Sequence, residues 1–509
     1  MQNLESKQVK SVLISLFQKE PALGLIKKLD ALGVEIYSTG GTLDFIKKNG
    51  LKATSVEDVT SYPSVFGGRV KTLHPKIFGG ILYRRDHKHD LEELAKHAIP
   101  NIDMVIVDLY PFEDTVASGA DSNEIIEKID IGGISLIRAA AKNFNDTWIV
   151  PSADYYEHAL CLLMDQGANT TYAQRQEFAA TAFKVSSQYD TAICSWFKPN
   201  PHEEFIHCFH ESKKLRYGEN PHQEGYFYGN LDDNFTQLHG KELSYNNILD
   251  IDGAVSLMRE FEEPTFAIIK HTNACGVASR ASIEEAYQTA LASDPVSAFG
   301  GILISNRNID DKTAYHINEL FFEVLLAPGY DQDALSILMQ KKNRIILKTN
   351  TMSEKKFHYR SALNGVLAQS ANDAQTIKEN CRQVTQKQAD DNQLGDLIFA
   401  NKITKHTKSN AIVLVKNKQL LASGTGQTSR VDALKQAITR AKEYKHQLKG
   451  AVMASDAFFP FADCVEIAKH EGIKAVIQPG GSIRDKDSID YCDANDMAMV
   501  TTGMRLFKH

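Results

Sequence analysis

The sequence is poor in the residues that mark several protein classes. Seven cysteines occur among 509 residues, and they stand singly, at Cys161, Cys194, Cys208, Cys275, Cys381, Cys464 and Cys492. No close pair resembles a metal clip or a redox motif, so a reduced, cytoplasmic protein is expected. No run of eighteen apolar residues occurs, and the first ten residues lack the apolar core of a signal peptide. We therefore expect neither membrane spanning nor secretion.

Positive charge is also in short supply. The chain has 57 Lys and Arg against 64 Asp and Glu, which gives a formal net charge of −7. Binding to a nucleic-acid backbone requires a net basic surface or a concentrated basic stripe, so a general nucleic-acid binder is excluded. Any anionic ligand must be met by local basic pockets.

What remains is the composition of a soluble globular protein, with 43% hydrophobic and 24% charged residues. The length exceeds what one core usually organises, so two or three domains are expected. Apolar runs at 12–16, 34–37, 104–107 and 148–150 alternate with helical spacing, which predicts a mostly parallel sheet covered on both faces.

A domain boundary is predicted near residue 200. A helical pattern over about 173–197 ends before Pro199 and Pro201, and a polar stretch follows to residue 214. Beyond it, apolar runs at 266–269, 302–304, 412–415 and 475–477 are again separated by helical segments. The second part is therefore also expected to be α/β.

Two glycine-containing segments point to a phosphate. The string STGGT at 38–42 follows a predicted strand and precedes a helical pattern, the arrangement in which backbone N–H groups and the helix dipole bind anions. The string GGRVKTLHP at 67–75 places two cations and a hydroxyl behind a glycine pair. Taken alone, the first is also compatible with a plain tight turn and the second with a solvated basic loop.

These strings occur in order with DLYPF at 108–112, IDIGG at 129–133 and RAAAKN at 138–143. Together they closely resemble the cyclohydrolase domain of the bifunctional transformylase and inosine monophosphate (IMP) cyclohydrolase family. The resemblance implies a methylglyoxal-synthase-like fold over residues 1–200.

The resemblance also implies roles in ring closure, in which a carboxamide nitrogen attacks a formyl carbon and the adduct loses water. Lys71 and Tyr110 would stabilise oxygen charge in the adduct, while Asp130 and Lys142 would manage the proton on the amide side. The residues that would hold phosphate and ribose are Ser38, Thr39, Gly40, Gly41, Thr42, Arg69 and Thr72.

Structural alternatives exist for these residues. Tyr110 could pack in the core, Asp130 could cap a helix, and Lys142 could form a surface ion pair. Two departures from the family pattern also stand out: SLFQK at 15–19 where SVSDK is usual, which puts a polar nucleotide contact in doubt at Phe17, and Asp108 where asparagine is common.

The second part continues the resemblance to the last residue. It contains LRYGENPHQ at 215–223, LSYNNILD at 243–250, KHTNACG at 270–276, KSN at 408–410, GQTSR at 426–430, SDAFFPFAD at 455–463 and RLFKH at 505–509. These match the transformylase domain of the same family, which implies two cytidine-deaminase-like subdomains over 201–509, split near 370. Ala274 replaces a proline often found before the cysteine.

The reaction implied here is transfer of a formyl group from 10-formyltetrahydrofolate, the cosubstrate, to the ring amine of aminoimidazole carboxamide ribonucleotide (AICAR). The product, FAICAR, is then cyclised to IMP, which completes purine biosynthesis. His271 suits removal of the amine proton, and Lys270 with Asn410 would hold the developing oxyanion. Lys270 and His271 follow a buried strand, where α/β active sites commonly form.

Binding residues are carried over in the same way. Those expected at AICAR are Arg216, Tyr217, Asn247, Arg505 and Phe507. Those expected at the folate are Phe458, Phe461 and Asp463, because apolar walls with a carboxylate suit a pterin. Ordinary core packing is the alternative for the phenylalanines, and a surface pair is the alternative for Lys270 and His271.

Two rival functions would need other residues than those found here. The string His222-Gln223-Glu224 matches H-x-E of zinc deaminases, but no P-C-x-x-C partner exists, so no catalytic metal is expected. A nucleotide sensor would need residues that bind phosphate but would not need proton-transfer residues such as Asp130. The ligands are expected to be a nucleotide and a folate, with no nucleic acid and no membrane, and the protein is expected to be a homodimer whose transformylase site is shared between subunits.

Overall fold

Two separate units are described by the computed structural model, which covers residues 6–198, 205, 209, 211–350 and 357–509. They are Met1–Cys208 and Phe209–His509. Four short 3-10 helices occur in the described ranges, at Glu20–Ala22, Phe66–Gly68, Ala153–Tyr155 and Lys378–Asn380. No helix there is both long and apolar enough to cross a bilayer.

The first unit is built on a parallel sheet of order β4-β3-β2-β5-β6, beside a small β1–β7 pair. Its strands are β1 Lys7–Gln8, β2 Ser11–Ser15, β3 Glu35–Ser38, β4 Thr54–Ser55, β5 Met104–Val107, β6 Trp148–Val150 and β7 Asn169–Thr170. Its helices are α1 Leu23–Ala31, α2 Gly40–Lys48, α3 Val56–Thr60, α4 Pro75–Leu82, α5 Lys88–Lys96, α6 Phe112–Ala117, α7 Ser122–Glu127, α8 Ile131–Lys142, α9 Tyr156–Gln166 and α10 Tyr172–Phe197.

The apolar runs of the sequence explain this layering. Every residue of the inner strand β5 and of the edge strand β6 is buried, as expected of a parallel sheet with helices on both faces. The prediction of a parallel α/β sheet is confirmed. The long helix α10 begins at a capping box in which Thr171 Oγ1 accepts the Gln174 N–H and Gln174 Oε1 accepts the Thr171 N–H.

The second unit is organised around one mixed sheet of twelve strands among its described residues. Its strands are β8 Ser212–Lys214, β9 Tyr226–Tyr228, β10 Phe235–His239, β11 Thr265–Lys270, β12 Asn273–Ser279, β13 Gly301–Ser305, β14 Phe322–Ala327, β15 Ile345–Thr349, β16 Phe357–Ala362, β17 Gly365–Ser370, β18 Arg382–Gln383, β19 Ile412–Lys416, β20 Gln419–Gly424, β21 Val452–Ser455, β22 Ala475–Gln478 and β23 Ala498–Thr501. Its helices are α11 Tyr245–Met258, α12 Ile283–Ser293, α13 Asp311–Glu319, α14 Gln332–Leu338, α15 Asp391–Lys405, α16 Arg430–Glu443, α17 Asp463–His470 and α18 Asp485–Ala494.

The large sheet has the order β10-β15-β14-β13-β11-β12-β20-β19-β21-β22-β23-β18. In each half a hairpin, β11–β12 or β19–β20, is followed by an antiparallel and then two parallel pairings. The halves meet where Ala278 pairs with Gln419. One strand order therefore occurs twice, and the α/β prediction is confirmed for this unit.

Lys270 ends β11, and the chain turns directly back into antiparallel β12. The apolar pattern of a buried strand does not distinguish a hairpin from a crossover to a parallel strand, because both bury the same residues.

Candidate functional site

The first turn of α2 is the candidate anion site of the first unit. Thr39 is its N-cap and makes no side-chain capping bond, so the backbone N–H groups of Gly40 and Gly41 open a helix N-terminus. A Cβ built on Gly40 would lie 3.2 Å from Lys71 Nζ, and one on Gly41 would lie 3.5 Å from Lys19 Cε. Two lysine side chains therefore flank N–H donors, an arrangement that suits a phosphate.

The hydroxyls of the same segment are used within the protein. Ser38 Oγ donates to a backbone carbonyl of β2 at 2.9 Å, and Thr39 Oγ1 donates to Glu57 Oε1 at 2.9 Å. Thr42 Oγ1 accepts the Leu16 N–H at 3.0 Å and donates to the Leu16 carbonyl at 3.1 Å. The segment therefore offers an anion its backbone N–H groups rather than these three hydroxyls.

Three of the four residues predicted to act in ring closure lie together beside this anion site. Asp130 is the N-cap of α8, and its Oδ1 accepts the Gly133 N–H at 2.6 Å. Burial raises the pKa of Asp130, while backbone N–H donors and the Lys71 charge oppose that rise. Burial and then the Asp130 charge raise the pKa of Tyr110. Asp130 therefore caps α8, as the structural alternative predicted, and also lies beside Lys71 and Tyr110.

Thr72 and Arg69, which were both expected to hold the phosphate and ribose, lie in different surroundings. A Cβ built on Gly132 would lie 3.3 Å from Thr72 Oγ1, which places the buried Thr72 at the start of α8 beside Asp130. Arg69 instead forms an exposed ion pair with Glu127. The structure therefore brings Thr72 to the site and pairs Arg69 with a surface carboxylate.

Lys142 does not meet Asp130 within one chain. Asp130 caps the beginning of α8 and Lys142 is its last residue, so at 1.5 Å per residue they are about 18 Å apart along the helix. Lys142 is exposed, beside Arg138 and Phe183. One proton cannot be shared over this distance.

Sequence reasoning missed two residues here. Lys19 lies in the SLFQK string but was given no role. Tyr189 Oη, from α10, accepts the Asp130 N–H at 2.9 Å and donates to the Lys128 carbonyl at 2.5 Å, which fixes the backbone ahead of α8. No signal in the sequence links Tyr189 to a residue about sixty positions earlier.

In the second unit the candidate residues lie at the tip of the β11–β12 hairpin. Lys270 pairs with Asn273, and His271 and Thr272 form the turn with φ of 50° and 61°. Positive φ at both central positions is typical of a type I′ hairpin turn. Asp250 Oδ1 accepts the Thr272 N–H at 2.6 Å, and burial raises the pKa of Asp250. Asp250 was quoted in a motif but not assigned a role.

Lys270 is held by backbone carbonyls. Its Nζ donates to the carbonyls of Phe299 at 2.8 Å and Gly300 at 3.0 Å. A Cβ at Gly300, whose φ is +67°, would lie 3.2 Å from that Nζ, so a glycine is required for this approach. An ammonium group has three N–H donors, and one is left for another acceptor.

Ala274 lies just past the turn, within β12. It is 8% exposed and pairs with Ile269, while Ile268 pairs with Gly276, so Cys275 is the extra residue of a β-bulge. Burial raises the pKa of the Cys275 thiol to about 12. The alanine that replaces the common proline therefore lies beside a β-bulge, where it pairs with Ile269.

Asn410 belongs to a partly buried hydrogen-bond network. Its Nδ2 donates to the carbonyls of Gln427 at 3.0 Å and Thr428 at 3.2 Å, and its Oδ1 accepts from Arg430 Nη2 at 2.9 Å. Arg430 also donates to Asp456 Oδ1 at 2.8 Å, and Asp456 is fully buried. Both amide hydrogens of Asn410 are thus directed at backbone carbonyls.

The hairpin, the segment around Asn410 and the C-terminal tail are joined. Asn273 Oδ1 accepts the Lys408 N–H at 2.9 Å. The Ser409 N–H donates to the Lys508 carbonyl at 2.9 Å, and the Lys508 N–H donates to Ser409 Oγ at 3.0 Å. The structure therefore brings Lys270, His271 and Asn410 into one region with the tail.

The residues expected to bind AICAR fall into two groups, two arginine–aromatic pairs and one helix-capping asparagine. The Arg216 guanidinium lies 5.3 Å from the Tyr217 ring centre, and that of Arg505 lies 4.6 Å from the Phe507 ring centre. Asn247 is 7% exposed, and its Oδ1 accepts the Ser244 N–H at 3.1 Å in the capping box of α11. Asn247 thus serves the helix start.

The aromatic segment before α17 divides into core and surface. Phe459 is fully buried, whereas Phe458 and Phe461 are 38% and 50% exposed. The Arg484 guanidinium lies 4.8 Å from the Phe461 ring centre, and Asp463 is the first residue of α17. The core-packing alternative therefore applies to Phe459 but not to the two rings assigned to folate.

No group of three or more His, Cys, Asp or Glu side chains that could hold a metal ion occurs in the described part of the chain. His222, Gln223 and Glu224 lie in a turn in which Gln223 Oε1 accepts the Asn220 N–H at 2.9 Å.

Comparison with known proteins gives concordant matches. The family model described as AICARFT/IMPCHase bienzyme matches residues 140–440, and that of the MGS-like domain matches residues 22–135. The chain is similar to the bifunctional purine biosynthesis protein PurH of Bacteroides thetaiotaomicron, with 59% identity over 99% of this chain and 100% of the relative.

A second relative of the same description, from Caldicellulosiruptor bescii, is 44% identical over 98% of this chain and 100% of its own length. A solved structure titled "Crystal structure of ForH" is 31% identical and covers 37% of this chain and 96% of its own. Its TM-score of 0.32 is too low for an argument about the fold.

Proposed function

Since the chain belongs to the AICARFT/IMPCHase bienzyme family, it is a bifunctional AICAR formyltransferase and IMP cyclohydrolase of purine biosynthesis, and we propose that its two units divide the two reactions. Residues 1–200 carry ring closure, and residues 201–509 carry formyl transfer, with two deaminase-like subdomains split near 370. The repeated strand order of the large sheet supports that subdivision.

In ring closure, the phosphate of FAICAR is held by the first turn of α2. The N–H groups of Gly40 and Gly41 donate to it, and Lys19 and Lys71 balance its charge. This assignment adds Lys19 to the residues predicted from the sequence. It is supported by the closeness of both lysines to the two glycines.

At the reacting end, Asp130 takes the proton of the carboxamide nitrogen as that nitrogen attacks the formyl carbon. Burial raises the pKa of Asp130, which makes it a stronger base than an exposed aspartate. Lys71 and Tyr110 donate to the formyl oxygen as it gains charge. The oxygen becomes a hydroxyl by taking a proton from Lys71 or Tyr110, and it leaves as water with the proton that Asp130 returns. The nitrogen that carried the formyl group then loses its own proton as the C=N bond forms, and this proton restores the donor.

Lys142 requires a second chain. Because it lies about 18 Å along α8 from Asp130, it reaches a cyclohydrolase site only from a partner subunit. The exposed face of α8, which carries Arg138 and Lys142, is open to such packing. We therefore place Lys142 across the interface of the expected homodimer.

In formyl transfer, His271 accepts the proton of the AICAR ring amine as the amine attacks the formyl carbon of 10-formyltetrahydrofolate. The third N–H of Lys270 holds the developing oxyanion. Asn410 positions the segment that contains Arg430, since its amide hydrogens are directed at carbonyls.

We propose separate residue sets for the two ligands. Arg216, Tyr217, Arg505 and Phe507 form the nucleotide side, and the exposed rings of Phe458 and Phe461 with Asp463 form the folate side. Both ligands are small anionic metabolites, and we propose a cytoplasmic homodimer that acts on them without a catalytic metal.

The observation that carries the proposal is the meeting of Lys71, Tyr110 and Asp130 beside the anion site of α2. Single variants test it. His271→Ala abolishes formylation of AICAR and still cyclises supplied FAICAR, whereas Lys71→Ala does the reverse. Both rates are followed by absorbance, with circular dichroism as the check on folding. Loss of both activities in a folded single variant contradicts the division.

A further inference from the structure

The loop at residues 16–19, here called the strut loop, connects the two ends of the cyclohydrolase site. It follows β2 at the carboxyl edge of the parallel sheet. Three consecutive backbone N–H groups of this loop are accepted by side chains. Thr42 Oγ1 accepts from Leu16 at 3.0 Å, and the Asp108 carboxylate accepts from Phe17 and, at 2.8 Å, from Gln18.

Both acceptors are buried. Thr42 is 3% exposed and Asp108 is 8% exposed, so water has little access to the acceptor side of these bonds. Hydrogen bonds from backbone N–H groups to a charged carboxylate are stronger than those between neutral groups. The strut loop is therefore held along its length rather than at its ends.

Each end of the strut loop contacts a different part of the site. The Phe17 ring meets the Tyr110 ring edge to face, with centres 5.8 Å apart and planes at 86°. At the other end, Lys19 Nζ donates to the Phe17 carbonyl at 3.1 Å, and its Cε lies 3.5 Å from a Cβ built on Gly41. One short segment thus contacts the reacting end through Phe17 and the phosphate end through Lys19.

We propose that Asp108 is a positioning residue for ring closure that acts through the strut loop. By holding the loop backbone, Asp108 fixes the Phe17 ring, which orients Tyr110, and fixes Lys19, which contacts the phosphate. This rests on the proposed function of Tyr110 and of the α2 anion site. Phe17 and Asp108, which the sequence analysis identified only as departures from the family pattern, are joined by a hydrogen bond and act together. Asp108 contributes without touching substrate.

The kinetic test separates the two ends, with cyclisation of supplied FAICAR as the assay. Phe17→Leu lowers kcat about 2- to 10-fold, the range of one edge-to-face ring pair, and leaves KM within about 2-fold. Lys19→Met raises KM about 10-fold and leaves kcat within about 2-fold, since it removes one charge-assisted contact to the phosphate. Asp108→Ala changes both parameters.

A multiple-variant cycle decides whether Asp108 acts through these residues. In the Phe17→Leu, Lys19→Met background, Asp108→Ala changes kcat/KM by less than about 2-fold. A further loss equal to that of the single variant overturns the proposal, as does an unchanged kcat in Phe17→Leu. Asp108→Asn keeps one acceptor and shows an intermediate effect, so the question stays open to measurement if Asp108→Ala is unstable.

Controls distinguish failure of this inference from failure of the proposed function. AICAR formylation in the same proteins stays unchanged, and so do both activities in Leu91→Ala, an exposed position on α5. Tyr110→Phe tests the underlying role. If Tyr110→Phe cyclises normally, the proposed function of Tyr110 fails, whereas normal kcat in Phe17→Leu with a defective Tyr110→Phe refutes only the strut loop.

Discussion

In the first unit, Lys71 Nζ and Tyr110 Oη make no hydrogen bond within the described ranges, whereas in the second unit Lys270 Nζ and the Asn410 amide each donate to two backbone carbonyls. The difference follows from how each site is built. The site proposed for ring closure lies at the carboxyl edge of a parallel sheet, where helix N-termini and loops supply the framework. The site proposed for formyl transfer lies on a two-residue turn that needs its neighbours to hold its shape.

This contrast determines what a substitution does. In the first unit the acting groups can be altered with little effect on local structure, because the backbone is held by other residues such as Tyr189 and Asp108. In the second unit the side chains in the site also restrain backbone. Variants there are expected to change geometry and chemistry together.

The largest effect is expected for Asp130→Asn. Asparagine caps a helix as well as aspartate does, so α8 is retained while the base is lost. We expect cyclisation to fall about 10²- to 10⁴-fold, the usual contribution of a general base, with formylation unchanged. Rates of FAICAR closure measure this, and thermal unfolding verifies the cap. Near-normal closure would assign Asp130 to capping alone.

Next is Lys142→Ala, for which we expect about a 100-fold loss of cyclisation. Mixing Lys142→Ala with Asp130→Asn subunits gives heterodimers in which one of the two sites has both native residues. Partial recovery of activity in the mixture supports action across subunits. No recovery in verified heterodimers, or an unaffected Lys142→Ala homodimer, contradicts it. An Arg138→Ala variant controls for loss of dimerisation on the same helix face.

A tenfold effect is expected on the other side of the comparison. Asp250→Ala removes the acceptor of the Thr272 N–H, so the turn loses a restraint on two residues with positive φ. We expect formylation to fall about 10-fold, with no change in cyclisation. Asp250→Asn keeps one acceptor and should lose less. Equal losses for Ala and Asn would point to the charge of Asp250 instead.

Much of the scaffold could be predicted from the sequence because strand cores are continuous apolar runs. The runs at 104–107 and 148–150 are the strands Met104–Val107 and Trp148–Val150, and the run at 12–16 is shifted by one residue from Ser11–Ser15. The STGGT segment also marked the start of α2. These features depend on local pattern and burial, which neighbouring residues encode.

The rest depends on partners distant in the sequence. A histidine and a threonine carry none of the Asn-Gly signal of a type I′ turn, so the hairpin at His271 was not predicted. Arg69 and Lys142 were assigned by resemblance, and only the tertiary structure shows where their side chains lie. The roles of Lys19 and Tyr189 likewise arise from contacts across the fold.

The smallest effect is expected from Tyr189→Phe, which tests whether the hydrogen bond from the Asp130 N–H to Tyr189 affects the rate and the pH dependence of cyclisation. Because burial raises the pKa of Asp130, its carboxylate is protonated, and the base lost, at a higher pH than for an exposed aspartate. The acidic limb of cyclisation kcat/KM therefore lies above pH 4, roughly the ordinary value for aspartate.

Tyr189→Phe removes the hydroxyl that accepts the Asp130 N–H but leaves the Gly133 N–H bond to the carboxylate. We expect kcat to fall about 3-fold and the acidic limb to stay in place, because the groups that set the Asp130 pKa are unchanged. A pH profile of both proteins measures this. A limb that moves in Tyr189→Phe would mean that the first site, like the second, depends on side chains to maintain its electrostatics, and the contrast between the two units would disappear.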